Sequence, residues 1–292
     1  MTTSRPVFVL GVGAQKAGTS FLYQALDAHP DVEMSKPKEM RAFNSHFLPD
    51  ECKVLAERLR NRIPALLERD PLDLSDNQRE FFNVLIRTMA IHYDLREYPR
   101  YFHTLLRETG AKVTGDITPA YQLLAGDHFK AIRELLEKDF DLKVIFLMRD
   151  PIDRLYSAFR MRDRYNAKIR PDREIRVPAP QRFIQNDRTR ASEGRTRYER
   201  TIEALEQAFD PAQLHYAFYE ELFRPETFEE ISRFVGVTGL SPDFEEKVNA
   251  SPDQGGLSAE DVAVAREYYA ATYEFCLARF GDARIRSIWR YA

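Results

Sequence analysis

Near its amino terminus the chain joins an uninterrupted apolar run to a glycine-bearing loop and then to a helix. The run Val7–Val12 has the composition of a strand that is buried on both faces of a parallel sheet. Apolar residues at helical spacing follow over 21–26, and His29-Pro30 ends that helix. A strand–loop–helix unit of this kind is the opening of an α/β fold.

Strand and helix patterns alternate along the rest of the chain. Further strands are predicted at Lys112–Ile117, Leu142–Met148 and Gln213–Tyr219. Helices are predicted at Glu51–Glu68, Gln78–Arg107 (interrupted at Pro99), Gly126–Lys138, Pro151–Arg164, Glu226–Phe234 and Ala259–Phe280. This order favours a three-layer α/β fold, a central parallel sheet flanked by helices. We expect one domain over 1–292, with a helical insertion at about 50–108 and a basic, Pro-containing loop at about 165–195.

Composition narrows the class of protein. Among 292 residues, 43% are hydrophobic, which is enough for a large core, and 30% are charged. Because every apolar run is far too short to cross a bilayer, we expect no transmembrane segment. Two cysteines and the lack of a signal-peptide pattern predict a cytoplasmic location. The net charge of -3 gives no reason to expect a nucleic-acid partner.

The loop after the first strand nearly matches the nucleotide-binding P-loop. It reads Gly-Val-Gly-Ala-Gln-Lys-Ala-Gly-Thr-Ser over 11–20, and its later glycines and final serine have the required spacing. Thr19, however, stands where the lysine should be, and the lysine has moved back to position 16. Backbone amides and the next helix N-terminus can still bind an anion. The sequence therefore predicts a phosphate loop that is unsuited to a nucleoside triphosphatase.

A second candidate phosphate site follows the strand at 142–148. Arg149-Asp150-Pro151 begins a helix there, with Asp150 as its N-cap, and Arg154 and Ser157 share one face of that helix. An arginine at a strand end can hold a phosphate with two hydrogen bonds, and a nearby hydroxyl can donate another. The alternative is an Arg–Asp pair that stabilises the helix start. For Arg154 both interpretations stay open, whereas the first loop favours phosphate binding by Arg149 and Ser157.

Together these segments resemble the sulfotransferases that use 3′-phosphoadenosine 5′-phosphosulfate (PAPS), especially the carbohydrate-type members. The resemblance rests on the loop at 13–22 continuing to His29-Pro30, on Leu147–Phe159, on Thr118–Tyr121 and on the pattern from Arg195 to Glu220. It implies a P-loop nucleotide-kinase-like sulfotransferase fold. It also implies PAPS as co-substrate and adenosine 3′,5′-bisphosphate as product. We expect no metal, because the leaving group is less charged than in phosphoryl transfer.

The resemblance also implies site residues. The nucleotide would be bound by Gln15, Lys16, Ala17, Gly18, Thr19, Ser20, Arg149 and Ser157. Lys16 would contact the oxygen that bridges phosphorus and sulfur, where negative charge grows as the nucleotide leaves. Glu39 stands where carbohydrate-type members carry their general base. From the residues alone, Glu39 between Lys38 and Arg41 would be interpreted as a solvated charge.

The acceptor is less sharply defined. The carbohydrate-type resemblance implies a hydroxyl or amine on a carbohydrate or glycolipid, or on another small molecule. Ile117 stands where many relatives carry a lysine, which weakens any transfer of acceptor identity. The basic segment Arg160–Arg200 is either a solvated excursion or a mobile lid that attracts an anionic acceptor. Both interpretations stay open.

Two other functions compete with sulfuryl transfer. A P-loop kinase would need a Gly-Lys-Ser/Thr loop and a magnesium-binding aspartate, and Thr19 contradicts the first requirement. A non-catalytic relative would bind nucleotide or glycan without turnover. The presence of both Lys16 and Glu39 argues against that alternative.

Overall fold

Five parallel strands form the central sheet. The computed structural model describes residues 5–48, 50, 75–169, 193–244 and 257–292. The strands are β1 (Val7–Gly13), β2 (Val32–Met34), β3 (Val113–Ile117), β4 (Asp141–Met148) and β5 (Leu214–Phe218). Their order across the sheet is β2-β3-β1-β4-β5, and every neighbouring pair is parallel. The predicted α/β class is therefore confirmed.

Helices connect the strands and flank the sheet. The α-helices of the described residues are α1 (Thr19–Asp27), α2 (Ala42–Phe47), α3 (Asp76–Tyr93), α4 (Glu97–Thr109), α5 (Gly126–Leu136), α6 (Pro151–Ile169), α7 (Tyr198–Glu206), α8 (Pro225–Val235), α9 (Ala259–Tyr268), α10 (Ala270–Phe280) and α11 (Asp282–Ile288). Short 3-10 helices cover Pro119–Leu123 and Pro211–Gln213. Crossover helices between parallel strands bring the carboxyl ends of all five strands to one edge of the sheet.

Two predicted helices are each divided in the structure. The predicted helix Gln78–Arg107 is α3 and α4, and the chain breaks at 94–96 rather than at Pro99. Proline is tolerated in the first turn of α4 because the N–H groups there have no partner inside the helix. The predicted helix Ala259–Phe280 is α9 and α10, which meet at Tyr269.

Other sequence predictions have different outcomes. Sequence patterns do not reveal β2, whose three residues are too few to display a strand period. The predicted helix Glu51–Glu68 lies outside the described residues, as do 170–192 of the predicted basic loop. The single-domain organisation and both insertions stay predictions.

The core is densest around β1. Phe8 is fully buried, and the centre of its ring lies 4.7 Å from the ring centre of Phe102 and 5.4 Å from that of Phe140. β1 also makes an unusually close approach to β3. A Cβ atom placed on Gly115 would lie 2.2 Å from the carbonyl oxygen of Val9, so this strand position admits only glycine. The close pairing of β1 with β3 therefore requires a residue without a side chain at position 115.

We expect Gly115→Ala to lower the free energy of unfolding by at least about 2 kcal/mol, because backbone on both strands must move apart. Gly126→Ala is the matched control. Its Cβ would also meet an atom at 2.2 Å, but that atom is the Oε1 end of the flexible Gln207 side chain. Urea unfolding should show a loss below about 1 kcal/mol for the control. Equal losses in the two variants would contradict the explanation.

Candidate functional site

Chain segments from neighbouring strands meet at the carboxyl edge of the sheet. The loop 14–18 follows β1, Thr118-Pro119 follows β3, Arg149-Asp150 follows β4 and Tyr219-Glu220 follows β5. The central position of β1 puts its loop between the segments after β3 and β4. Ligands of open α/β sheets bind at this edge, at the point where the strand order reverses.

The loop after β1 is a compact turn that leads directly into α1. Ala17 N–H donates to the carbonyl of Ala14 at 3.1 Å, and Gly18 adopts a left-handed conformation with φ of 88° as the N-cap of α1. No side chain caps this helix by a hydrogen bond. A Cβ on Gly18 would lie 2.4 Å from Leu222, so the loop packs tightly against the segment after β5. First-turn N–H groups with no side-chain cap are suited to binding an anion.

Arg149 lies beside this loop. Its Nη1 donates to the carbonyl oxygen of Lys16 at 3.3 Å, and its guanidinium stacks 4.2 Å from the ring centre of Tyr219. The hydroxyl of Tyr198 donates to the Arg149 carbonyl at 2.8 Å, which fixes the backbone. The structure thus brings the two sequence-predicted phosphate segments together. Ser157 is buried on α6, two turns along from Arg149.

Positive charge is concentrated around Lys16. Burial lowers the pKa of the Lys16 amine, and the nearby cations of Arg164, Arg149 and Arg160 lower this pKa further. The carboxylate of Glu39 acts in the opposite direction and raises the Lys16 pKa. An excess of cations at the edge of a sheet favours a polyanionic ligand.

Glu39 is carried by the loop that follows β2. Its backbone is left-handed, with φ of 61°, and its carboxylate accepts from Lys38 Nζ at 3.0 Å. The side chain keeps 38% of its surface exposed. Glu39 is therefore close enough to Lys16 to influence its ionisation and is still accessible from solvent.

Asp150 proves to be a structural residue. Its Oδ1 accepts from the backbone N–H of Ile152 at 2.9 Å, which confirms the predicted N-cap of α6. The same oxygen accepts from the hydroxyl of Tyr273 at 2.7 Å, and Oδ2 accepts from the N–H of Tyr291 at 2.8 Å. Asp150 thereby ties the carboxyl-terminal helices to the start of α6, while Arg149 contacts the phosphate loop.

Two carboxylates near the site were not predicted from the sequence. Asp116 is fully buried at the end of β3 and accepts from the hydroxyls of Thr118 and Tyr121, at 2.8 and 2.6 Å. Tyr121 is fully buried and is therefore a core residue. Glu220 Oε1 accepts from the N–H of Asp150 at 2.9 Å. The sequence alone does not single out Asp116, because its hydrogen-bond partners come together only in the folded protein.

In the ranges that the structure covers, no helix combines the length and apolar character needed to cross a membrane. Within those same ranges, no three His, Cys, Asp or Glu side chains gather as a potential metal site.

A parallel sheet with a glycine-bearing loop after its central strand is the arrangement of a P-loop-like α/β fold. The model of the Sulfotransferase family matches residues 6–242, so the chain belongs to the sulfotransferase family and is a transferase. No curated protein matches the sequence. The family resemblance predicted from the two phosphate motifs is therefore confirmed.

Solved sulfotransferase structures are similar to this one. A sulfotransferase from Alicyclobacillus acidocaldarius matches with a TM-score of 0.56 and 19% identity, over 94% of this chain and 96% of that one. The sulfotransferase domain of the curacin biosynthetic pathway matches with a TM-score of 0.45 and 17% identity, over 89% and 83% of the two chains. The corresponding domain of the Synechococcus PCC 7002 olefin synthase gives 0.46 and 16%, over 92% and 96%.

The ionisation of Glu220 leads to a prediction about stability. Burial raises the pKa of Glu220 to about 7. At pH values between its ordinary pKa and about 7, the folded protein therefore keeps a proton on Glu220 that the unfolded chain has released. The contribution of Glu220 to stability is therefore present at low pH and is lost as pH rises through about 7. Glu220→Gln keeps an oxygen for the Asp150 N–H but does not ionise.

We expect the stability of Glu220→Gln, relative to the wild type, to rise by about 2.5 kcal/mol between pH 5 and pH 8. Urea unfolding at both pH values measures this difference. Glu203→Gln, at an exposed position on α7, should leave the pH dependence as in the wild type. A Glu220→Gln protein with the wild-type pH dependence would show that Glu220 is ionised in the folded state.

Proposed function

We propose that this sulfotransferase moves a sulfuryl group from PAPS to a hydroxyl or amine of a carbohydrate or glycolipid acceptor. The observation that carries the proposal is the 3.3 Å contact between Arg149 Nη1 and the Lys16 carbonyl, since it brings together the two segments that would bind the phosphates. PAPS carries phosphates at two separate positions of one nucleotide and is the general donor of the family.

The two ends of the nucleotide would be bound by different segments. The loop residues Gln15, Lys16, Ala17, Gly18, Thr19 and Ser20 would bind the 5′-phosphosulfate, largely through backbone N–H groups. Arg149 and Ser157 would bind the 3′-phosphate. The stacking of Arg149 on Tyr219 supports this role, because it holds the guanidinium in one plane.

Lys16 would stabilise the leaving group. In-line displacement breaks the bond between sulfur and the bridging oxygen, and the electron pair of that bond stays on the 5′-phosphate. A hydrogen bond from the Lys16 ammonium to that oxygen strengthens as its negative charge grows. Burial in a site with little water makes such a hydrogen bond stronger than it would be in solution.

Glu39 would accept the acceptor's proton. As the acceptor oxygen or nitrogen forms its bond to sulfur, its proton passes to the Glu39 carboxylate, and adenosine 3′,5′-bisphosphate leaves. The exposure of this side chain supports the role, since an acceptor can reach it from solvent. Its electrostatic coupling to Lys16 supports a base close to the point of sulfuryl transfer.

The setting of the reaction is part of the proposal. We propose that the enzyme acts in the cytoplasm on a small-molecule or glycan acceptor and needs no metal. Cys276 is buried as a free thiol, which suits a reducing compartment. The cations around Lys16 would also tolerate an anionic acceptor.

Nucleotide choice tests the donor directly. Isothermal titration should show that adenosine 3′,5′-bisphosphate binds at least tenfold more tightly than ATP with magnesium. The reason is that Thr19 replaces the P-loop lysine that contacts terminal phosphates, whereas Arg149 supplies a second phosphate site. The opposite preference would favour a kinase.

We expect Arg149→Ala and Lys16→Ala each to abolish sulfuryl transfer from labelled PAPS. Arg149→Ala should act mainly by weakening adenosine 3′,5′-bisphosphate binding, by at least about tenfold, because a charge-assisted hydrogen bond is lost. Lys130→Ala removes an exposed cation on α5 and serves as the control. Full activity in either pocket variant would remove that residue from the proposed site.

We expect Glu39→Gln to bind adenosine 3′,5′-bisphosphate as the wild type does but to transfer sulfuryl groups more slowly, by about 10²–10⁴-fold. Labelled PAPS with a panel of sugars, amino sugars, alkyl glycosides and phenols measures the rate. Glu33→Gln changes another carboxylate nearby in the sequence and should remain active. A fully active Glu39→Gln enzyme would remove Glu39 from the mechanism.

A further inference from the structure

The buried carboxylate of Asp116 accepts hydrogen bonds from three hydroxyls. The hydroxyls of Thr118, Tyr121 and Tyr98 donate to it at 2.8, 2.6 and 3.1 Å. The backbone N–H of Met40, which belongs to the loop after β2, also approaches this carboxylate and lowers its pKa. A carboxylate removed from water at this position is costly unless each of its oxygens is well bonded.

Further contacts fix the same loop on both sides of Glu39. The hydroxyl of Thr118 accepts from the N–H of Arg41 at 3.4 Å. On the other side, the hydroxyl of Tyr101 accepts from the N–H of Lys36 at 2.8 Å and lies 2.9 Å from the Lys36 carbonyl. Hydrogen bonds therefore anchor the backbone three residues before Glu39 and again two residues after it.

The conformation between these anchors is an uncommon one. Glu39 and Arg41 have left-handed backbones, with φ of 61° and 56°. For residues other than glycine such a conformation is unfavourable, and it persists only where the surrounding structure enforces it. The anchors described above supply that enforcement.

We propose that Asp116, Thr118 and Tyr101 form a clamp that positions Glu39 for proton removal from the acceptor. The clamp residues are positioning residues, since they act through Glu39, and this inference rests on the proposed function. Its strongest support is the pattern of partners. Thr118, at the end of β3, accepts from the Arg41 N–H and donates to Asp116, and the Met40 N–H approaches the same carboxylate. Met40 and Arg41 are the two residues that follow Glu39.

Thr118 offers a clean test because its hydroxyl serves two partners, Asp116 and the Arg41 N–H. Thr118→Val keeps the shape of the side chain but removes the hydroxyl, and Thr118→Ser keeps the hydroxyl. We expect kcat for sulfuryl transfer from PAPS to fall at least tenfold in Thr118→Val and to stay within about threefold in Thr118→Ser. The affinity for adenosine 3′,5′-bisphosphate should be unchanged in both variants.

A double-mutant cycle separates positioning from general destabilisation. If Thr118 acts through Glu39, Thr118→Val should slow a Glu39→Gln enzyme by less than about twofold, because the base it positions is already absent. The assay uses the fastest acceptor of the panel, or water if no panel member reacts. A tenfold loss in both backgrounds would show that Thr118 does not work through Glu39 and would overturn the inference.

Tyr101→Phe provides a second variant in case Thr118→Val does not fold. It removes the hydroxyl that bonds to the N–H and carbonyl of Lys36, and it keeps the ring in place. The expected result is again a lower kcat, at least threefold, that disappears in the Glu39→Gln background. Wild-type kcat in a folded Tyr101→Phe or Thr118→Val protein would overturn the clamp.

The outcomes distinguish this inference from the proposed function. Transfer by the wild type, with loss in Glu39→Gln but none in the clamp variants, would reject the clamp and keep the function. No transfer from PAPS to any acceptor or to water would reject the function, and the clamp with it.

Discussion

The contact between the Arg149 guanidinium and the Lys16 carbonyl holds the site together. It spans the carboxyl ends of β1 and β4, which are neighbours only because the sheet has the order β2-β3-β1-β4-β5. The stacking of Arg149 on Tyr219 brings in the end of β5 as well. A nucleotide with phosphates at both ends can then be held by backbone from one strand and a side chain from the next.

Residues outside the site fix the backbone on which this contact depends. Asp150, next to Arg149, accepts from Tyr273 and from the Tyr291 N–H, so the carboxyl-terminal helices hold the start of α6 in place. The fully buried rings of Tyr198 and Tyr273 pack around Trp289 near the end of the chain. Through the backbone of Arg149, these distant residues help to keep its guanidinium against the loop after β1.

Lys16 and Glu39 differ in their exposure to solvent, which fits a reaction between a bound donor and a diffusing acceptor. Lys16 is held among cations and partly buried, whereas Glu39 remains open to solvent. A buried cation and an accessible carboxylate suit opposite tasks, stabilising a leaving group and receiving a proton. The clamp around Asp116 would let the exposed carboxylate keep a defined position without being buried itself.

Local patterns in the sequence determined the strands at 7–13 and 141–148, the helix after Asp150 and both phosphate motifs, because each depends on residues close together along the chain. Only the tertiary structure decided that Asp116 meets Met40, that Arg149 meets Lys16, and that β2 exists at all. The strand β2 is too short to show a strand period. The two contacts join residues some 75 to 130 positions apart in the chain. Their energy comes from burial and hydrogen bonds that form only when the sheet has assembled.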